Sequence, residues 1–191
     1  MNGDKLIKYL GYSSNHPDLL AFLEQQGADI AMLHALNKPH KKPGKTKGVT
    51  YRHLGITLQF GMDFPELAEK QRRSDPESQS IIKPADFRIK NPVGDGPFYL
   101  DHIIFSKSLP VPSTTDKSLI LPFGLQFMDN LSRHQRLFGH KNAHGDPGKP
   151  YYEEDESDYY HKDYKIIIYF ERADPEEKLQ GLTVSLRPAQ G

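Results

Sequence analysis

Between Tyr51 and Phe60, apolar Leu54, Ile56, Leu58 and Phe60 alternate with Gly55, Thr57 and Gln59. Successive side chains on a strand point to opposite faces, so this period of two predicts a half-buried β-strand with its core face already assigned. Phe98–Phe105 predicts a second strand, ending on apolar Ile103, Ile104 and Phe105. Tyr164–Phe170 and Leu179–Leu186 predict two more, joined by an Arg172–Lys178 linker with Asp174-Pro175 turn chemistry. A chain with these runs builds a sheet, and its other elements must cover part of that sheet.

The helices are short. Asn15 or His16 can cap a helix with Pro17 in its first turn, Asp18 favours its positive end, and Gly27 stops it. Leu19, Phe22 and Leu23 lie on one helical stripe, with Leu20 off to one side. A second helical stretch is expected around Asp29–Leu36, and a third over Asn130–Phe138, capped by Asp129 or Asn130 and ended by Gly139. Residues 37–47, 65–80 and 109–116, and a stretch with Gly145, Pro147, Gly148 and Pro150, read as polar connections. The 15 Gly and 15 Pro fit that proportion of loop. The expected class is α+β, with short helices packed on an antiparallel β-meander. Each half runs helix, glycine stop, polar loop and strands, and the stops Leu23–Gly27 (LEQQG) and Gln135–Gly139 (QRLFG) are parallel. Two related units, residues 1–108 and 109–191, and one continuous domain are both compatible with that layout.

Charge narrows the function classes. Lys+Arg and Asp+Glu balance at 25 each, so no global field recruits nucleic acid or an anionic membrane. The absence of cysteine rules out a disulfide framework and Cys-based zinc sites. Met1–Ser14 lacks the apolar core of a signal peptide, and no window approaches the ~18 apolar residues of a membrane helix. A soluble, cytoplasmic protein without a membrane partner is expected.

Catalytic and metal patterns are missing. His134, His140, His144 and His161 lie with Asp146 in the second half, and His34, His40 and His53 in the first. None falls in an HExxH or another helical ligand pattern, so neither metal nor cofactor is expected. There is no G-x-S-x-G elbow, and Gly94-Asp95-Gly96-Pro97 is turn chemistry rather than a phosphate loop. Asp101 and His102 are adjacent on a strand, so they point apart. A binding protein is the first expectation. An enzyme with a His/Asp site within residues 134–163 is the alternative, and a scaffold domain with incidental charged loops is the third.

Two local charge runs stand out. Lys38, Lys41, Lys42, Lys45, Lys47 and Arg52 have no acid among them. In the second run Glu153, Glu154, Asp155, Glu156, Asp158 and Asp163 face the single Lys162, leaving five net negative charges. Tyr151, Tyr152, Tyr159, Tyr160 and Tyr164 flank these acids. Tyrosine supplies rigid contact area and carboxylates pair with Arg or Lys, so Tyr151, Tyr152, Glu153, Glu154, Asp155, Glu156, Asp158, Tyr159 and Tyr160 are the candidate partner-binding residues. Only Tyr51 stands among the lysines as a base-stacking aromatic, so nucleic acid is not the expected partner.

Leu121-Pro122-Phe123-Gly124-Leu125-Gln126-Phe127, a short helix ending Leu137-Phe138-Gly139, and the two strands that follow resemble small-protein-A-like and beta-lactamase-inhibitor-protein-like α+β layouts. The opening Leu10-Gly11-Tyr12-Ser13, with Pro17, Leu19, Phe22 and Leu23, is similar to immunity proteins encoded beside bacterial polymorphic toxins. The likeness covers about half the chain and rests on structural glycines and apolar positions. Two features depart from it. His140-Lys141-Asn142 follows Gly139 where such repeats carry proline, and the acylated cysteine of the envelope lipoproteins is missing. The resemblance implies an inhibitor that occludes a cognate toxin, with a nuclease as one kind of target.

Overall fold

The computed structural model describes residues 1–36, 47–62, 73, 89–107, 119–139, 156–170 and 174–186, with backbone alone at 156–158. Six strands form one sheet: β1 Lys47–Tyr51, β2 Ile56–Gly61, β3 Tyr99–Ser106, β4 Glu156–His161, β5 Tyr164–Phe170 and β6 Leu179–Leu186. The helices are α1 Gly3–Leu6, α2 Pro17–Gln25, α3 Ala31–Leu36 and α4 Leu131–Phe138. The strand order is β1-β2-β3-β6-β5-β4, so each half of the chain contributes three consecutive strands and the last strand of each half lies in the middle. β3 pairs with β6, β6 with β5 and β5 with β4, all antiparallel. This is the α+β class expected from the sequence, and β5 and β6 keep their predicted bounds. Among the described residues no helix is long and apolar enough to cross a membrane.

One predicted strand is two. The Tyr51–Phe60 run breaks after Tyr51, and Arg52–Leu54 form a single 3-10 turn closed by Gly55 at φ 69°, ψ 26°. Glycine enters that left-handed region without the Cβ clash other residues meet, so Gly55 reverses the chain between β1 and β2. Leu54 is buried all the same, at the turn rather than on a strand. The other difference is β4, whose acidic and polar composition conceals the alternation of a strand.

Two compact units form. The first comprises Met1–Lys8, Thr50–Thr57 and His102–Gly191. Its core follows the strand register. Ile103 sits opposite Val184, Val184 opposite Ile166 and Ile166 opposite Tyr159, and all four are fully buried. Phe105, Leu182 and Ile168 form the next row. Each such aliphatic side chain stabilises the fold by about 1.5–3 kcal/mol. Asn130 is the cap of α4, its Oδ1 accepting the Arg133 N–H at 3.2 Å, while Asp129 instead accepts the Gln126 N–H at 2.7 Å. Asp174 organises the β5–β6 connection by accepting the Glu176 and Lys178 N–H groups, and these two bonds hold its carboxyl below its ordinary pKa.

The second unit comprises Tyr9–Val49 and Leu58–Asp101. Leu19, Phe22 and Leu23 are buried and Leu20 is only partly so, as the stripe predicts. His16 is the cap of α2, its Nδ1 accepting the Asp18 N–H at 3.2 Å. The Tyr9 ring lies 5.1 Å from Phe22, which ties the segment before α2 to the helix. Residues 11–14 are held by backbone bonds, Gly11 and Ser14 donating to Leu100 and Phe98, and Ser13 to Val93.

Gly94 closes against this segment. At φ +82° a Cβ would stand 2.8 Å from His16 Cδ2 and 2.9 Å from Ser13 Oγ, and Ser13 is fully buried. Gly94→Ala therefore combines a left-handed backbone with a steric clash, and is expected to destabilise the protein by about 1–3 kcal/mol. Urea unfolding monitored by circular dichroism measures it, and an unchanged midpoint contradicts this packing.

Candidate functional site

The site begins with a strained residue. Pro122 opens a single 3-10 turn, and Phe123 within it adopts φ 63°, ψ 19°, followed by Gly124 at φ 67°. A bulky non-glycine residue in this region costs on the order of 1–3 kcal/mol and persists only where its surroundings hold it. They do so here on two sides. The Phe123 N–H donates to Asp4 Oδ1 at 2.8 Å. Asp4 is carried on α1, which is itself pinned by Gly3 N–H donating to Ile120 at 2.7 Å and Ile120 N–H donating to Met1 at 2.9 Å.

The side chain is held by rings. Phe123 lies 5.7 Å from Phe138, 5.6 Å from His161 and 5.7 Å from Tyr164, centroid to centroid. Phe138, the last residue of α4, is 5.4 Å from His161 and 5.5 Å from Tyr159. His161 ends β4 and Tyr164 starts β5, so the two-residue turn Lys162-Asp163 sets both rings beside Phe123. Tyr159 is buried beneath this cluster, whereas Phe123, Phe138, His161 and Tyr164 are half-buried. Lys162 and Asp163 are exposed beside them.

Burial raises the pKa of the Tyr164 phenol, and the charges of Asp163 and Asp4 raise it further. Burial also lowers the pKa of His161, with a smaller contribution from Lys162. The His161 shift fixes the sign of a pH effect. With its folded pKa below the ordinary 6.5, the unfolded chain takes up the proton first, so the contribution is complete above that value and is lost as pH falls through it. Stability is expected to decline between pH 7 and 5 more steeply in the parent protein than in His161→Gln. Thermal melts across that range measure this, and parallel curves exclude the effect.

The candidate residues divide. Tyr151, Tyr152, Glu153, Glu154 and Asp155 lie outside the described residues. Glu156 and Asp158 occupy β4 positions opposite Tyr169 and Ile167, and β4 is an edge of the sheet. Tyr160, opposite Lys165, is half-buried. Tyr159 is a correction to the sequence reading: it is 0% exposed, so its ring packs inside the protein instead of at a surface. Strand alternation is the cause, since neighbours on β4 take opposite faces and only one of two adjacent tyrosines can point inward.

The histidines are dispersed. His134 is buried in α4, His161 packs against phenylalanine, and His140, His144 and Asp146 lie outside the described residues. Among the described residues no group of three His, Asp or Glu side chains comes together to hold a metal ion. In the basic run, Lys47 is engaged: its Nζ donates to the Leu36 carbonyl at 2.8 Å, ending α3, and lies 4.3 Å from the centroid of Phe98. Lys38, Lys41, Lys42 and Lys45 lie outside the described residues.

Sequence reasoning did not bring Phe123, Phe138, His161 and Tyr164 together. Their one shared signal is position, because Phe138, His161 and Tyr164 each sit at an element end and Phe123 lies within a three-residue turn. Such rings offer flat faces to a cation or to another aromatic group, and the nearby Asp4 and Asp163 favour a positive one. Comparison with protein-family models, with curated protein sequences and with solved structures finds no match for this chain.

Proposed function

We propose that this protein is an immunity-type inhibitor that binds a cognate bacterial toxin and blocks it by occupying its active cleft. One observation carries the reading: the half-exposed Phe123–Phe138–His161–Tyr164 cluster stands at the end of β4, in direct chain continuity with the acidic Glu153–Asp163 run. Aromatic anchors with Asp4 and Asp163 beside them, on a chain segment rich in further acids, suit a partner that presents arginine and lysine, because guanidinium groups stack on rings and pair with carboxylates. Toxins that cut nucleic acid have such basic clefts. Inhibition by occlusion requires neither turnover nor a cofactor, and the site of action is the cytoplasm.

The test is to mix the purified protein with a candidate toxin, namely the product of any toxin-like reading frame encoded beside it. A stoichiometric complex on size exclusion and loss of toxin activity at one equivalent are expected. No complex and full toxin activity overturn the proposal. A rate that depends on added small-molecule substrate, with no toxin binding, favours an enzyme.

A further inference from the structure

Met128 sits in the same connector as Phe123 and has surroundings that its own backbone does not explain. Its φ is +74°, in the left-handed region, and 45% of the residue is exposed. Its N–H donates to the Leu179 carbonyl at 2.9 Å, so the conformation is fixed from the β6 side. Two nitrogen donors converge on its thioether: Lys107 Nζ at 3.2 Å and Gln180 Nε2 at 3.3 Å. A neutral sulfur is a weak acceptor, so an ammonium and an amide aimed at one exposed sulfur are poorly matched to the thioether. They are well matched to a sulfoxide oxygen, which is a strong acceptor.

We propose that Met128 is a site of reversible oxidation to methionine sulfoxide, with Lys107 and Gln180 as the built acceptor site for the new oxygen. Hydrogen peroxide is the co-reactant. Its proximal oxygen bonds to Sδ as the O–O bond breaks, the sulfur loses two electrons, and the proton of that oxygen passes to the departing hydroxide to give water. The Lys107 ammonium hydrogen-bonds the negative charge that develops on the departing oxygen, and afterwards bonds the S–O group. Both donors must first swing off the sulfur. A water-exposed N–H···S bond is weak and Lys107 is exposed, so this costs less than the charge-assisted bond to oxygen returns. Because the two donors fix the side on which oxygen is held, one sulfoxide epimer should predominate, and thiol-dependent reductases that each accept one epimer restore the thioether.

Of the four methionines, Met1 is buried and Met62 half-buried, while Met32, 42% exposed, is the matched control with no described donor at its sulfur. The experiment is a time course with dilute hydrogen peroxide on the intact protein, read by peptide mass spectrometry at each methionine. Met128 should oxidise at least about threefold faster than Met32, its sulfoxide should be reversed mainly by one of the two stereospecific reductases, and both effects should vanish in Lys107→Ala/Gln180→Ala. Both substituted residues lie at the surface or partly so, and far-UV circular dichroism checks that the variant is folded. A Met128 rate no faster than that of Met32, or unchanged in the double variant, overturns the proposal, as does an equal mixture of epimers.

Discussion

Tyr159→Ala should cost about 3–5 kcal/mol of folding stability, whereas Tyr160→Ala should cost less than about 1 kcal/mol. The two residues are adjacent and chemically identical, so only their facing distinguishes them. Tyr159 has no exposed surface, lies opposite Ile166 on β5, and contacts the Phe138 ring at 5.5 Å. Truncation leaves a cavity in the row Ile103–Val184–Ile166–Tyr159 and withdraws the floor of the aromatic cluster. Tyr160 is half-buried on the opposite face of an edge strand, where water fills the space its ring leaves. Urea denaturation of both variants measures the difference. A larger loss at Tyr160 than at Tyr159 would mean that β4 does not hold this register, since a slip by one residue exchanges the two faces. Leu23→Ala on α2, equally buried, should cost about 2–5 kcal/mol by the same reasoning.

The contrast between these tyrosines shows which parts of the fold a single sequence displays. Leu19, Phe22 and Leu23 were legible because helical spacing and an adjacent Pro17 and Gly27 agree with one another. β5 and β6 were legible because an apolar run with a turn at Asp174-Pro175 has few other outcomes. β4 was not, because Glu156, Ser157 and Asp158 carry the composition of a loop, and its strand character comes from pairing with β5 rather than from its own residues. The Tyr51–Phe60 run failed at one point for a related reason. Gly55 falls in a correct alternating position yet serves as a left-handed turn residue, and the pattern does not distinguish a weak strand glycine from a strong turn glycine. The site was least legible. Phe123, Phe138, His161 and Tyr164 converge from separate elements through a backbone conformation that no residue pattern predicts for phenylalanine.

That conformation supplies the most selective test of the proposed interface. Phe123→Gly removes the ring while glycine accepts φ +63° without strain, so lost contacts are partly offset and the protein should remain folded. If Phe123 anchors the partner, its removal should raise the dissociation rate on the order of 30-fold or more, as a loss of ≥ ~2 kcal/mol at a hot spot implies, and leave the association rate and its salt dependence intact. Reversing Glu153, Glu154, Asp155 and Glu156 to lysine should do the opposite. A chain with 25 charges of each sign has no long-range field, so the five net negative charges within Glu153–Asp163 are its strongest concentration of negative charge. At physiological salt the Debye length is about 8 Å, so charges that neighbour one another along the run reinforce each other. Their reversal leaves the run net positive, so it should slow association by about 10-fold to 1,000-fold at low salt and invert its ionic-strength dependence, with added salt now speeding association. Surface plasmon resonance against the proposed toxin partner at two salt concentrations separates the two effects. Unchanged association in the reversed variant moves the interface away from the acidic run, with the Lys38–Arg52 segment next to be tested. Unchanged dissociation in Phe123→Gly means that the aromatic cluster holds the connector in place and does not touch the toxin.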